Sequence, residues 1–358
     1  MRRFLLMMTL AGVVVGLAAG PAGACGGLIG PNGAVNLLRT TTLAAYSDGV
    51  EHYVTSFEFA GAGGEFGSIV PLPGVPTNVE RGGDWTLQRL VREVRPPVAF
   101  AASRANSASA VDESAEVLIE KRIDALDLTV LRGGARAVGE WATNHGFLLT
   151  PDAPEVLDFY AARSQIFLAA RFDADAARQR GVALGDGTPI HLTIPTDNPW
   201  VPLRILALGR QPAERVNADV FLLTDSRPAL LPGDDAPGLR LQSQERASTS
   251  LLRDLRSDKG MGWVPDSSWL TYLQIDAAPG ELTYDLAVDA TGAGAPSRVA
   301  AGLEGVPASS TRGPVLVDGA AEESGESAWP LLAGLGAGAA ILLVAAVAVV
   351  AGTNRRPS

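Results

Sequence analysis

The chain has 358 residues, 29 of them basic and 39 acidic, and 47% are apolar. A net charge of −10 disfavours nucleic acid, anionic lipid and acidic polymers as bulk electrostatic partners. The single cysteine, Cys25, rules out an internal disulfide, so the core is held by packing.

Arg2 and Arg3 precede an apolar run from Phe4 to about Ala19, and Pro21-Ala22-Gly23-Ala24 follows. A basic start, an apolar stretch and an A-x-A site describe a secretory signal peptide over residues 1–24, cleaved between Ala24 and Cys25. Setting aside the terminal arginines (Arg2, Arg3, Arg355, Arg356) leaves 25 basic residues against 39 acidic, about −14 for the exported part.

Residues 25–290 read as one α+β domain, mainly antiparallel sheet with a few helices. A hairpin is expected between residues 35 and 60, turning at Asp48-Gly49, where positive φ is tolerated. Gly61–Gly64 is read as a loop leading to a strand over Phe66–Leu72, which Pro71, Pro73 and Pro76 terminate. Asp84 is placed to cap a helix running to about Val94, with Leu87, Leu90, Val91 and Val94 on one face. Strands follow over Glu116–Ile123 and Leu126–Leu131, then helices over Gly133–His145 and Pro154–Arg163. Four further strands are expected: Gln165–Phe172, Pro189–Ile194, Val201–Leu208 and Val216–Leu223. A short helix over Ser248–Arg256 precedes final strands over Trp269–Ile275 and Glu281–Val288.

Residues 291–328 are dominated by Gly, Ala, Ser, Pro and Glu and are read as a disordered stalk. Residues 329–352 are read as a transmembrane helix. Pro330–Gly352 is 23 residues without a charge, a helix of roughly 30 Å, matching a bilayer's hydrocarbon core. Trp329 marks one interface, and Arg355 and Arg356 keep the tail, residues 353–358, in the cytoplasm. Gly334 and Gly338 form a G-x-x-x-G in this span, a geometry that lets two helices approach as a weak homodimer.

The segments ACGGLIGPNGAVN, FGSIVPLPGVP, LTVLRGGARAVGEWATNHGF, FYAARSQIFLAARF and NPWVPLRILAL, in this order between Cys25 and about Thr224, resemble the bacterial family of domain of unknown function 2330. The resemblance implies an exported bacterial protein, often with a C-terminal membrane span, and implies no activity. Two cysteines usually flank the Gly-Gly at the family's start. Cys25, Gly26 and Gly27 match, but Gly30 stands in the second cysteine's place, so no thiol-pair chemistry carries over.

No catalytic motif assembles on the sequence. Cys25 at a mature N-terminus is open to lipidation, to pairing with another chain, to nucleophilic chemistry with its own amine as base, or to plain packing. His52, His145 and His191 lie on separate elements without metal-ligand spacing, and His145 sits where a helix C-terminus favours a cation. Asp112, Glu113, Glu116 and Glu120 fit no Ca²⁺ loop. Trp263 and Trp269 are read as packing residues before sugar-stacking ones. The expectation is a single-pass, extracytoplasmic cell-surface protein without cofactor or metal. Its role is binding or structural, toward an envelope protein or glycan and not toward nucleic acid. The alternative is an envelope hydrolase using Cys25 or an acid pair.

Overall fold

The structure, a computed structural model, describes residues 27–30, 33–34, 36–37, 40–56, 59–60, 66–95, 116–179, 188–233 and 236–304. The signal segment with Ala24 and Cys25, Asp112 and Glu113, the Gly61–Gly64 loop, and the span with Gly334 and Gly338 lie outside the described residues. Among the described residues, no helix is long and apolar enough to cross a membrane.

The fold is α+β with mainly antiparallel sheet. Its largest sheet has seven strands in the order Leu239–Arg246, Trp269–Ala277, Val216–Thr224, Thr40–Ser47, Val50–Thr55, Ile190–Pro195 and Asn78–Arg81. One pairing, Val216–Thr224 beside Thr40–Ser47, is parallel and the rest are antiparallel. The hairpin forms as its turn residues dictate. Ser47 pairs with Val50, and Asp48 and Gly49 take φ of 52° and 75°. Both faces of this sheet are covered, which is why Phe221-Leu222-Leu223 runs apolar without alternation. On one face, helices Thr86–Val94 and Thr249–Ser257 close a core around Leu43, Val54, Phe221, Leu255 and Met261.

The other face shares a larger core with the remaining sheets. An all-antiparallel six-stranded sheet runs Gly33–Ala34, Gly27–Gly30, Phe66–Pro71, Ile166–Phe172, Leu126–Arg132 and Glu116–Ile123. Helices Gly134–Asn144 and Ala153–Ala161 bury Val138, Trp141, Leu157 and Tyr160 in this core. A three-stranded sheet of Trp200–Val201, Leu286–Asp289 and Ala229–Leu231 completes it.

Four sequence expectations are corrected. Val201–Leu208 is not a strand: after Trp200–Val201 the chain turns into a 3₁₀ helix, Arg204–Ala207, because distant side chains hold its amides. The Asp84 side chain does not cap its helix, which begins at Thr86. The Asp258 carboxylate does that work instead, accepting from the Asp84 and Trp85 amides at 3.0 and 2.9 Å and from Thr86 Oγ1 at 2.8 Å. Of Glu281–Val288 only Leu286–Asp289 pairs as strand, preceded by a 3₁₀ turn at Pro279–Glu281. The fourth concerns residues 291–304, which belong to the folded domain and not to a stalk. Ala301 is fully buried and its carbonyl accepts from the Asp285 amide at 3.0 Å, while Asp289 accepts from the amides of Thr291 and Ala295.

Candidate functional site

The seven-stranded sheet brings together two histidines that lie 139 residues apart in sequence. His191 pairs in register with Glu80 on one side and Val54 on the other, so all three side chains project from the same face, toward the helices. His52, two residues before Val54, projects from that face as well. His52 Nδ1 and His191 Nε2 are 2.9 Å apart, and His191 Nδ1 lies 3.0 Å from Glu80 Oε1.

A carboxylate only accepts, so the His191 proton sits on Nδ1 facing Glu80. His191 Nε2 then accepts from His52 Nδ1–H, and His52 Nε2 is left with the lone pair. The rings are 25° from coplanar with centroids 5.1 Å apart, a separation filled by the two ring radii and the N···N distance. The nitrogens therefore meet head-on, as a hydrogen bond, and do not converge on a shared metal position. Among the described residues, no three or more His, Cys, Asp or Glu side chains could hold a metal ion.

Trp263, in the loop after helix Thr249–Ser257, lies parallel to His52 at 4.2 Å and 5.1 Å from His191. Burial lowers the His52 pKa to about 4, with the His191 neighbour adding to the effect and Glu80 opposing it. Burial likewise lowers that of His191, against the pull of Glu80. The arrangement is a neutral imidazole pair oriented by one carboxylate and covered by an indole. It can pass a proton between Glu80 and His52 Nε2. Among the described residues, no hydroxyl or thiol is hydrogen-bonded to that nitrogen to serve as nucleophile.

A second polar cluster is wholly interior. Asp285, fully buried, accepts from the Tyr160 hydroxyl (2.9 Å), the Leu203 and Arg204 amides (2.7 and 3.0 Å) and Arg163 Nη2 (2.6 Å). The Ile205 amide donates to the Tyr160 oxygen at 2.8 Å. The Arg163 guanidinium lies over the Phe159, Tyr160 and Trp200 rings at 3.9, 4.9 and 5.0 Å and donates to the Ala300 carbonyl. Burial raises the Asp285 pKa despite the opposing Arg163 charge and two amide donors. Four donors from two separate segments converge on this one carboxylate, so this cluster is a structural hub.

The profile of the family described as "Uncharacterized protein conserved in bacteria (DUF2330)" matches residues 19–236. The chain belongs to this family. The segments that carry the family likeness converge on packing. A Cβ on Gly27 would come within 2.7 Å of Leu208, one on Gly67 within 3.0 Å of Phe147, and Tyr160 and Arg163 meet Trp200 at the hub. No curated protein matches the chain. Solved structures that share a partial likeness to this DUF2330 chain include two of baculovirus P35. Mutated baculovirus P35 after caspase cleavage is 7% identical over 72% of this chain and 98% of its own, with a TM-score of 0.39. P35 in its complex with caspase-8 is 7% identical over 70% and 95%, with a TM-score of 0.36. Likeness at that level carries no argument.

In the sequence His52 and His191 lie on separate elements, and their pairing is not visible there because it requires the strand order. Trp263 is confirmed as a packing residue, stacked on His52. Trp269 lies on its strand with Arg246 over the ring at 5.2 Å. His145 follows its helix as expected, with Nδ1 2.8 Å from the Trp141 carbonyl. Glu116 and Glu120 lie exposed on the edge strand of the six-stranded sheet.

Proposed function

We propose that this DUF2330 protein is exported, held in the cell membrane by Pro330–Gly352, and acts outside the cytoplasm by binding or by a structural role in the envelope. The observation that carries the reading is the uncharged 23-residue run followed, after Thr353 and Asn354, by Arg355 and Arg356, behind an N-terminal signal pattern. The convergence of the family segments on packing contacts supports a scaffold more than a reaction centre. Partners of the fitting chemistry are an envelope protein or a glycan, and Gly334 and Gly338 offer a face for weak self-association.

In a Cys25→Ser background, Ser324→Cys should label with a membrane-impermeant maleimide on intact cells and Ser358→Cys should not. The opposite pattern would reverse the topology and remove the proposal. A second reading, an envelope hydrolase, is favoured by one observation, the Glu80–His191–His52 chain ending in a free lone pair. Turnover of simple esters by the purified full chain that disappears in His52→Ala would support it. Turnover unchanged by that substitution would reject the site.

A further inference from the structure

Glu51 precedes His52 on the same strand and faces the opposite side of the sheet, into the larger core. It is 1% exposed, and although the Trp200 backbone amide lies near the carboxylate, neither oxygen receives a hydrogen bond in good geometry. Natural proteins rarely leave a buried carboxyl unsatisfied, and such a group in a native fold calls for an explanation. The side chain lines a void of about 10 Å³ shared with Tyr46, Trp200, Val201, Leu222, Thr224 and Val288. That void lies between the seven-stranded sheet, which supplies Tyr46, Leu222 and Thr224, and the three-stranded sheet, which supplies Trp200, Val201 and Val288.

The volume admits roughly one water, too few to hydrate a carboxylate. The lining hydroxyls do not help, because each already donates elsewhere: Tyr46 to the Thr196 carbonyl at 3.0 Å and Thr224 to the Ser226 carbonyl at 2.8 Å. Among the lining residues none is basic, and Tyr46 is the one titratable neighbour. Burial raises the Tyr46 pKa, and the negative charges of Asp197 and Asp289 add to the effect, so the surrounding field also opposes an anion.

We propose that Glu51 is a proton-operated latch between these two sheets. With its proton the carboxyl fills the interface as a neutral group. Without it, the charge is tolerable only when the three-stranded sheet loosens and lets water in. Burial accordingly raises the Glu51 pKa to about 8, with the Trp200 backbone amide opposing. A closed form with a raised value and an opened form with an ordinary one means that opening is favoured as pH rises. The device is separate from the histidine pair on the other face and does not depend on the binding or structural reading above.

The test is hydrogen exchange on the purified full chain in detergent, corrected for intrinsic rates, following the peptides that carry Trp200–Val201 and Leu286–Asp289. Between pH 6.5 and pH 9 their opening should increase roughly tenfold or more in the native protein and stay flat in Glu51→Gln. An equal increase in Glu51→Gln, or none in the native protein, would overturn the proposal. Should that variant fail to fold, infrared spectra of the native chain with isotope-labelled glutamate decide instead. A buried neutral carboxyl band must be present at pH 7 and lost by pH 9.5, and its absence at pH 7 ends the idea.

Discussion

The Tyr160 hydroxyl donates to Asp285 Oδ1 at 2.9 Å, across 125 residues of sequence. Tyr160 lies inside the family-matched stretch 19–236 and Asp285 outside it. The same carboxylate oxygen starts the 3₁₀ helix at Arg204, and its partner oxygen neutralises Arg163. One residue thus joins helix Ala153–Ala161, the turn after Trp200–Val201 and the last described strand.

Asp285→Ala is therefore expected to cost about 3–5 kcal/mol, because it leaves Arg163 buried without its counter-charge. Asp285→Asn, which keeps an acceptor, should cost less. Denaturant unfolding monitored by far-UV circular dichroism measures both. A loss below about 1 kcal/mol for the alanine variant would contradict the hub.

Asp258 holds the first turn of helix Thr86–Val94 from the end of helix Thr249–Ser257, 172 residues away from Thr86. Asp258→Ala removes the acceptor for two amides and one hydroxyl at a helix N-terminus, at about 2–3 kcal/mol. Asp84→Ala should matter much less, since its own side chain caps nothing and pairs only with Arg81 on the surface. Equal effects of the two substitutions would show that the cap is assigned to the wrong residue.

Acid should loosen the face that carries the histidine pair. His52 binds its proton at about pH 4 when folded and near 6.5 when unfolded, so between those values the unfolded chain holds more protons. Its contribution is complete above pH 6.5 and is lost as pH falls toward 4, in part screened because the ring is only half-buried. His52→Gln should flatten the stability profile over that window. Titration of the His52 C2 proton by NMR checks the cause directly, and a midpoint near 6.5 in the folded protein would refute it.

The mature chain is expected to begin at Cys25. Intact mass of protein purified from membranes should show loss of residues 1–24, and a diacylglyceryl increment would assign Cys25 to lipidation. Retention of any residue before Cys25 would reject the processing site.

Local chemistry in the sequence sufficed wherever an element is decided by its own residues. Asp48-Gly49 makes a two-residue turn because both tolerate positive φ, and the hairpin follows in register. Ser248 caps the Leu251 amide at 3.1 Å, and Leu251, Leu252 and Leu255 then fall on the buried face of that helix. Gly146, at φ 72°, ends the helix that buries Trp141. The mainly antiparallel α+β class follows from such elements taken together.

What partners decide at long range was not legible. The run Val201–Leu208 is apolar enough for a strand, yet Asp285 and Tyr160 draw its amides into a 3₁₀ turn, since a buried acceptor recruits donors wherever the fold delivers them. Residues 291–304 look like linker by composition but are folded because Arg163 and the Asp285 amide bind the Ala300 and Ala301 carbonyls. His52 and Glu51 differ by one position and by which side of a sheet they face. Alternation along the strand separates them, but only the order of strands sets His52 against His191 and Glu51 against a water-sized void.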